Sequence, residues 1–315
     1  MSAAPQRAMT PAEWALLLLL SLLWGGSFFF NGVTVKQLPP LTIVLGRVSI
    51  AAALLWMSAP LTGLSPARIL ANAPSLALLG LINNVVPFTL IVSAQTHLAS
   101  GLASILNATT PMLTVVVAHL FTSSERLNLR KIAGALCGFV GVVWMIGPDV
   151  ARGLGDNVAA EGAVLAAALS YALASVFARR FRELGLAPIE VAAGQVTASS
   201  LFLAPLALAV DRPWGLPAPS PTTLGALVAL AALSTAFAYV VYFRILAGAG
   251  ATNVVLVTLL APATSIALGA VVLGEQLAIR HFVGLFLIAA GLAFIDGRLP
   301  HALLARARAW LPAPR

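Results

Sequence analysis

Ten runs of mostly apolar residues follow one another along this chain, at 12–34, 40–59, 74–95, 99–122, 130–147, 159–181, 188–210, 222–246, 251–273 and 280–297. About 20 such residues carry a helix across a bilayer. The runs are continuous, not alternating, so they fit helices and not the strands of a barrel. Of 315 residues only 9% are charged, where a soluble domain carries about 25%. A surface this apolar cannot stay in water, which excludes a soluble enzyme, a nucleic-acid-binding domain and a disordered protein. The expected fold is an all-α integral membrane protein with ten transmembrane helices. Turn chemistry separates the runs: Pro39-Pro40, the stretch from Gly63 to Pro66, Gly147-Pro148-Asp149 and the proline-rich segment from Pro213 to Pro221. The connections are short and leave no room for an inserted soluble domain. The first run has only Arg7 as a basic flank and no small-x-small site after it. It reads as a retained span, not a cleaved leader.

The net charge of +8 is a matter of sidedness. With the N-terminus in the cytoplasm, thirteen of the eighteen Lys and Arg fall in cytoplasmic segments. Four lie opposite (Lys36, Arg152, Arg212 and Arg280), and Arg47 alone sits inside a run. Basic residues collect on the cytoplasmic face of membrane proteins. Both termini are therefore expected in the cytoplasm of a bacterial-type inner membrane. The tail, 299–315, reads as a basic amphipathic segment lying on the membrane face. Cys137, the single cysteine, allows no internal disulfide and reads as a buried thiol.

Slid against itself, the sequence repeats. At an offset of 148, Ser27 and Phe29 fall on Ser175 and Phe177, Pro40 on Pro188 and Gly46 on Gly194. At 151, Asn83-Asn84 fall on Ser234-Thr235, Phe88 on Tyr239 and Pro111 on Pro262. At 150, Glu125 falls on Glu275, Arg130 on Arg280, Gly134 on Gly284 and Gly141 on Gly291. The halves, 1–150 and 151–298, therefore hold five spans each. Five is odd, so the second half enters the membrane inverted relative to the first. Two inverted five-helix repeats can exchange shapes and expose a midplane site to either side, the signature of alternating access.

This pattern resembles the drug/metabolite transporter superfamily, of the EamA type with two five-helix repeats. The residues that carry the resemblance are Trp24-Gly25, Ser27-Phe28 and Arg47, then Pro111, Glu125 and Gly134, and in the second half Pro262, Glu275 and Gly284. It spans about residues 12–297. It implies a secondary transporter, and within the superfamily it is nearest the exporters of aromatic amino acids and related metabolites. One departure stands out: Gln195 occupies the place that Arg47 has in the first half.

Polar groups are costly in hydrocarbon, so spans turn them inward. The candidate cavity residues are Trp24, Asn83, Asn84, Asn107, Tyr171, Ser175, Tyr239 and Tyr242. Each has a structural alternative as interhelical hydrogen-bonding or packing. Large rings with amides and hydroxyls suit a neutral or zwitterionic solute with an apolar side chain. Spans 1, 3, 4, 6, 8 and 9 are expected to wall the cavity, with 5 and 10 peripheral. Pro87, Pro111 and Pro262 are candidate helix breaks or gates. Arg47 can pair with a carboxylate, cap carbonyls or meet a substrate carboxylate, and the structural role is preferred. Glu190 is expected at the interface, and Glu125 and Glu275 as caps of their own turns with neighbouring arginines. Trp14, Trp56 and Trp144 read as interface anchors, and His119 as the one histidine to test for proton transfer. The small-residue face Gly134, Gly138, Gly141 allows close packing within the protomer or across a dimer.

The reading is a secondary transporter exporting amino acids, aromatic or other neutral, and related small metabolites by alternating access. Its partners are an amino-acid-like small molecule and the lipid bilayer; no oligomer is implied, and no cofactor or metal. A membrane enzyme acting on lipid-linked substrates, or a transporter of nucleosides or sugars, are the alternatives. There is no Walker-type phosphate loop, so ATP does not drive it. No carboxylate lies at mid-depth, so efflux down a gradient does not require proton coupling. Reporter fusions at Arg152 and Arg212 should report the non-cytoplasmic side, and fusions at either terminus the cytoplasm.

Overall fold

The computed structural model describes residues 9–121, 129–146, 156–249 and 257–296. Among these the secondary structure is helical throughout, without strands. The principal helices are α1 (Pro11–Thr34), α2 (Pro40–Met57), α3 (Ala73–Ala94), α4 (Ser100–Phe121) and α5 (Leu129–Ile146). The second set is α6 (Asp156–Phe177), α7 (Pro188–Val210), α8 (Pro221–Tyr242, its helix continuing to Ala249), α9 (Val257–Leu273) and α10 (Ile279–Asp296). Seven of them, α1–α4 and α6–α8, are long and apolar enough to cross a bilayer. The other three have shorter apolar cores, Ile132–Trp144, Leu260–Leu273 and Ile279–Gly291.

Helix starts follow local chemistry. Helices α1, α2, α7 and α8 each begin on a proline. The first helical position has no use for an N–H and favours the fixed φ of proline. Thr10 and Glu13 close a capping box on α1, and the Ser220 hydroxyl accepts from the Thr223 amide at the start of α8. Other starts are capped from afar by the second half. Asp211, just past α7, accepts from the Thr42 amide at 2.7 Å, near the start of α2. Glu275 accepts from the Ser100 and Gly101 amides at 2.9 and 3.3 Å, at the start of α4. A carboxylate there meets unpaired N–H groups and the positive end of the helix dipole.

Packing obeys the sequence offsets. Helix α2 packs on α7, α4 on α9, and α5 on α10, so each equivalent pair meets its own counterpart. Helix α1 lies against α8 and α9, as α6 lies against α3 and α4; α2 touches α8 as α7 touches α3. Two reciprocal contacts fix this arrangement at atomic range. A Cβ built at Gly46 would lie 2.9 Å from Leu227 Cδ2, and one at Gly194 would lie 2.6 Å from Leu76 Cδ1. Gly46 matches Gly194, and Leu76 matches Leu227 at the offset of 151. Likewise Gly141 abuts the Gly284 carbonyl, at 2.9 Å from the site of a Cβ, and Gly291 abuts the Gly134 carbonyl. The small-residue face of α5 is thus used within the chain, against α10. Cys137 lies half-buried in the same seam, donating to the Leu287 carbonyl at 3.5 Å.

Gly291→Ala should therefore force α5 and α10 apart, costing about 1–3 kcal/mol and lowering the melting temperature of the purified protein. Gly162→Ala, where a Cβ meets nothing within 4 Å, should leave it unchanged or slightly raised.

Candidate functional site

Helices α3 and α8 both widen midway. Leu81–Val85 and Ala232–Phe237 are π-helical, and they enclose the matched pairs Asn83-Asn84 and Ser234-Thr235. In α3 a cause is local. Pro87 has no N–H for the carbonyl of Asn83, four residues back, and its ring crowds that carbonyl; a wider turn relieves both. In α8 the equivalent of Pro87 is Ala238, so proline is not the cause. There Thr235 Oγ1 donates to the Leu230 carbonyl at 3.0 Å, spanning the wide turn. Such single wide turns swing side chains out of helical register and are frequent at functional sites.

The displaced side chains are met by the opposite half. Asn83 Nδ2 donates to Gln195 Oε1 at 2.9 Å, and Asn84 Nδ2 to Ser199 Oγ at 3.1 Å, both partners on α7. Tyr239 Oη, on α8, donates to Asn84 Oδ1 at 3.4 Å. Across the matched contact, Arg47 Nε on α2 donates to Thr235 Oγ1 at 2.9 Å. Arg47 and Gln195 are repeat-equivalent, so each half sends one long polar side chain into the other's wide turn. The Arg47 guanidinium also lies over the Phe88 ring, 3.7 Å from its centroid, a cation–π contact. Phe88 in turn meets Tyr171 edge-on at 6.4 Å. Tyr171 and Tyr239 are the phenols electrostatically nearest Arg47. Five helices, α2, α3, α6, α7 and α8, thus converge on one polar centre.

Asn83, Asn84, Tyr171, Tyr239 and Arg47 come together there. The rings of Trp24 and Tyr242 pair with each other at 5.5 Å and pack among Leu17, Leu20 and Leu23, about one turn along α8 from Tyr239. Asn107 ends the first segment of α4, its Oδ1 buried without a partner. Ser175 is exposed, its hydroxyl turned back to the Ala172 carbonyl of its own helix. Of the prolines, Pro87 adjoins the wide turn of α3, and Pro111 follows a break in α4 between Asn107 and Thr110. Helix α9 instead runs unbroken through Pro262 from Val257 to Leu273. Neighbouring helices compensate an interior proline in a membrane bundle.

Several peripheral expectations need correction. Glu190 sits in the first turn of α7 with its carboxylate turned into the protein. It is 1% exposed, 3.3 Å from Arg68 Nη1, and accepts from the Ser65 and Ala187 amides. Glu275 caps α4 and not its own turn, as given above; Glu125 lies outside the described residues. Trp56 is tied to α7 by its indole N–H, which donates to Thr197 Oγ1 at 2.9 Å. Trp14 and Trp144 are exposed, and His119 is exposed toward the end of α4. Sequence reasoning left Gln195, Ser199 and Phe88 out of the centre. The signal for the first was its match to Arg47, and for Ser199 its spacing of four residues from Gln195. Among the described residues no group of three or more His, Cys, Asp or Glu is placed to hold a metal.

Apolar helices joined by polar braces, with the two halves meeting through equivalent contacts, define a polytopic membrane protein with an internally repeated core. The chain belongs to the EamA-like transporter family, whose model matches it twice, over residues 13–147 and 159–296. It is therefore a membrane transporter. An uncharacterized transporter YoaV of Bacillus subtilis (strain 168) is 24% identical over 279 residues, covering 88% of this chain and 94% of that protein. A probable amino-acid metabolite efflux pump of Escherichia coli (strain K12) is 26% identical over 295 residues, covering 90% and 94%. An uncharacterized inner membrane transporter YedA of the same strain is 29% identical over 179 residues, 55% of each chain. A solved crystal structure superposes with a TM-score of 0.64 at 22% identity, over 94% of this chain and 99% of that one. That likeness is one of fold.

Asn83 and Gln195 bond directly, so their truncations should not add. Asn83→Ala and Gln195→Ala should each destabilise, and the double variant by less than their sum, with a coupling of about 0.5–3 kcal/mol in a denaturation cycle.

Proposed function

We propose that this chain is a secondary transporter of neutral amino acids and related metabolites, working by alternating access and exporting them across an inner membrane. In this reading it has ten spans in two inverted units, 1–150 and 151–298, a cytoplasmic tail at 299–315, and both termini in the cytoplasm. The observation that carries it is the matched pair of wide turns in α3 and α8, each braced from the opposite half. Interrupted helices at equivalent places in two inverted units are where substrate sites of such carriers lie. The polar braces cross between the halves at both wide turns, so an exchange of shapes breaks and remakes this small set of hydrogen bonds.

The substrate class is supported by the site's chemistry. The half-buried rings of Tyr171 and Tyr239 offer apolar surface, and half-buried Asn83 offers an amide that both donates and accepts. A solute with an apolar side chain and a zwitterionic head fits that lining. The efflux role in the name of the Escherichia coli relative, and the inner-membrane location in that of YedA, point the same way. The buried carboxylates of the helices at this centre, Glu161 in α6 and Glu190 in α7, lie near the helix starts and not at the wide turns, which supports gradient-driven export.

Proteoliposomes should release aromatic amino acids, threonine or homoserine down their own gradients with no imposed proton gradient, saturably, and faster than nucleosides. Flux that stops when the proton gradient is collapsed at constant solute gradient, or flux of nucleosides alone, would contradict this reading.

A further inference from the structure

We propose that Arg47 is the anion anchor of the transport site, and that the solute carried presents a carboxylate to its guanidinium. This rests on the amino-acid reading above and deepens it.

Arg47 is 6% exposed in the middle of α2. A cation at that depth is costly unless a counter-charge or hydrogen-bond acceptors meet it. Among the described residues no carboxylate pairs with it. Its one hydrogen bond is from Nε to Thr235 Oγ1, and its flat face rests on Phe88. Those two contacts fix the plane and the rotation of the guanidinium. They leave the two terminal nitrogens, the fork that grips a carboxylate through two parallel bonds, without a protein acceptor among the described residues. Tyr171 lies edge-on to the same Phe88 ring, at 6.4 Å.

The repeat supplies a control within the molecule. Gln195 holds the equivalent place in α7 and reaches the wide turn of α3 through a neutral amide, at 2.9 Å. Bracing the opposite half therefore needs no charge at this position. The charge at Arg47 is surplus to the brace, and it stands where aromatic rings and amides also converge. An orientated, half-satisfied guanidinium in a low-dielectric centre recognises an anion of carboxylate shape. An amide or ester of the same solute lacks the charge and should be discriminated against.

The test uses the full-length protein in proteoliposomes with three probes: phenylalanine, phenylalaninamide, which lacks the carboxylate, and 3-phenylpropionate, which lacks the amine. The wild type should move phenylalanine at least about tenfold faster than its amide. Arg47→Gln, which reproduces the residue at the equivalent site, should lower phenylalanine flux at least about tenfold and erase the preference for acid over amide. Arg47→Lys keeps the charge but loses the fork, so it should raise the KM for phenylalanine about tenfold while retaining the preference. It also reports on the anchor if Arg47→Gln fails to fold. Wild-type KM and selectivity in either folded variant would overturn the proposal, as would a wild type that moves no carboxylate probe or moves the amide as fast as the acid. Flux of 3-phenylpropionate but not phenylalanine, lost in Arg47→Gln, would uphold the anchor and overturn the amino-acid reading.

Discussion

Hydrocarbon offers no hydrogen-bond partner, so a polar group carried to mid-depth is costly unless another part of the chain, or a solute, meets it. That constraint shapes the centre of the molecule. Asn83 and Asn84 are met from α7, Thr235 from α2, and Tyr239 reaches back to Asn84. Each brace crosses from one half to the other. The apolar residues around them pack within shared clusters, but they do not choose which helix lies opposite which. The polar braces and the glycine–leucine contacts of Gly46 and Gly194 do.

The wide turns show tertiary structure overruling local sequence. Pro87 accounts for one of them, yet α8 widens at the equivalent place over Ala238. What the two share is a polar pair and a long side chain arriving from the other half. A helix surrounded by lipid on one side and by these partners on the other gains hydrogen bonds by loosening one turn. The carboxylates follow the same economy at the membrane edges: Asp211, Glu190 and Glu275 each serve amides far away in the sequence.

The repeat, the helix starts at Pro11, Pro40, Pro188 and Pro221, and the apolar runs were legible because each rests on residues adjacent in sequence or on a simple offset. The membership of the polar centre was half legible. Asn83, Asn84, Tyr171 and Tyr239 stand out as bulky polar residues in apolar runs. Ser199 does not, since a serine in a membrane helix commonly bonds its own turn. Trp24 and Tyr242 are also bulky aromatic residues in apolar runs, and nothing in their spacing reveals that their rings pair and pack among leucines. Glu275 was misplaced because the amides it caps belong to a segment more than a hundred residues away.

The inequality of positions 47 and 195 has a thermodynamic consequence. Under the alternating-access reading proposed above, two alike halves would swap shapes between states of identical free energy, and an empty carrier would dwell equally on both sides. A guanidinium in one half and an amide in the other lifts that degeneracy, because a charge feels the difference between a dry and a wetted surrounding far more than an amide does. Each 1.4 kcal/mol or so of difference is a tenfold preference in resting state. In that reading, one unequal pair of side chains is enough to give a two-fold rocker a default side, and with it a built-in direction of readiness.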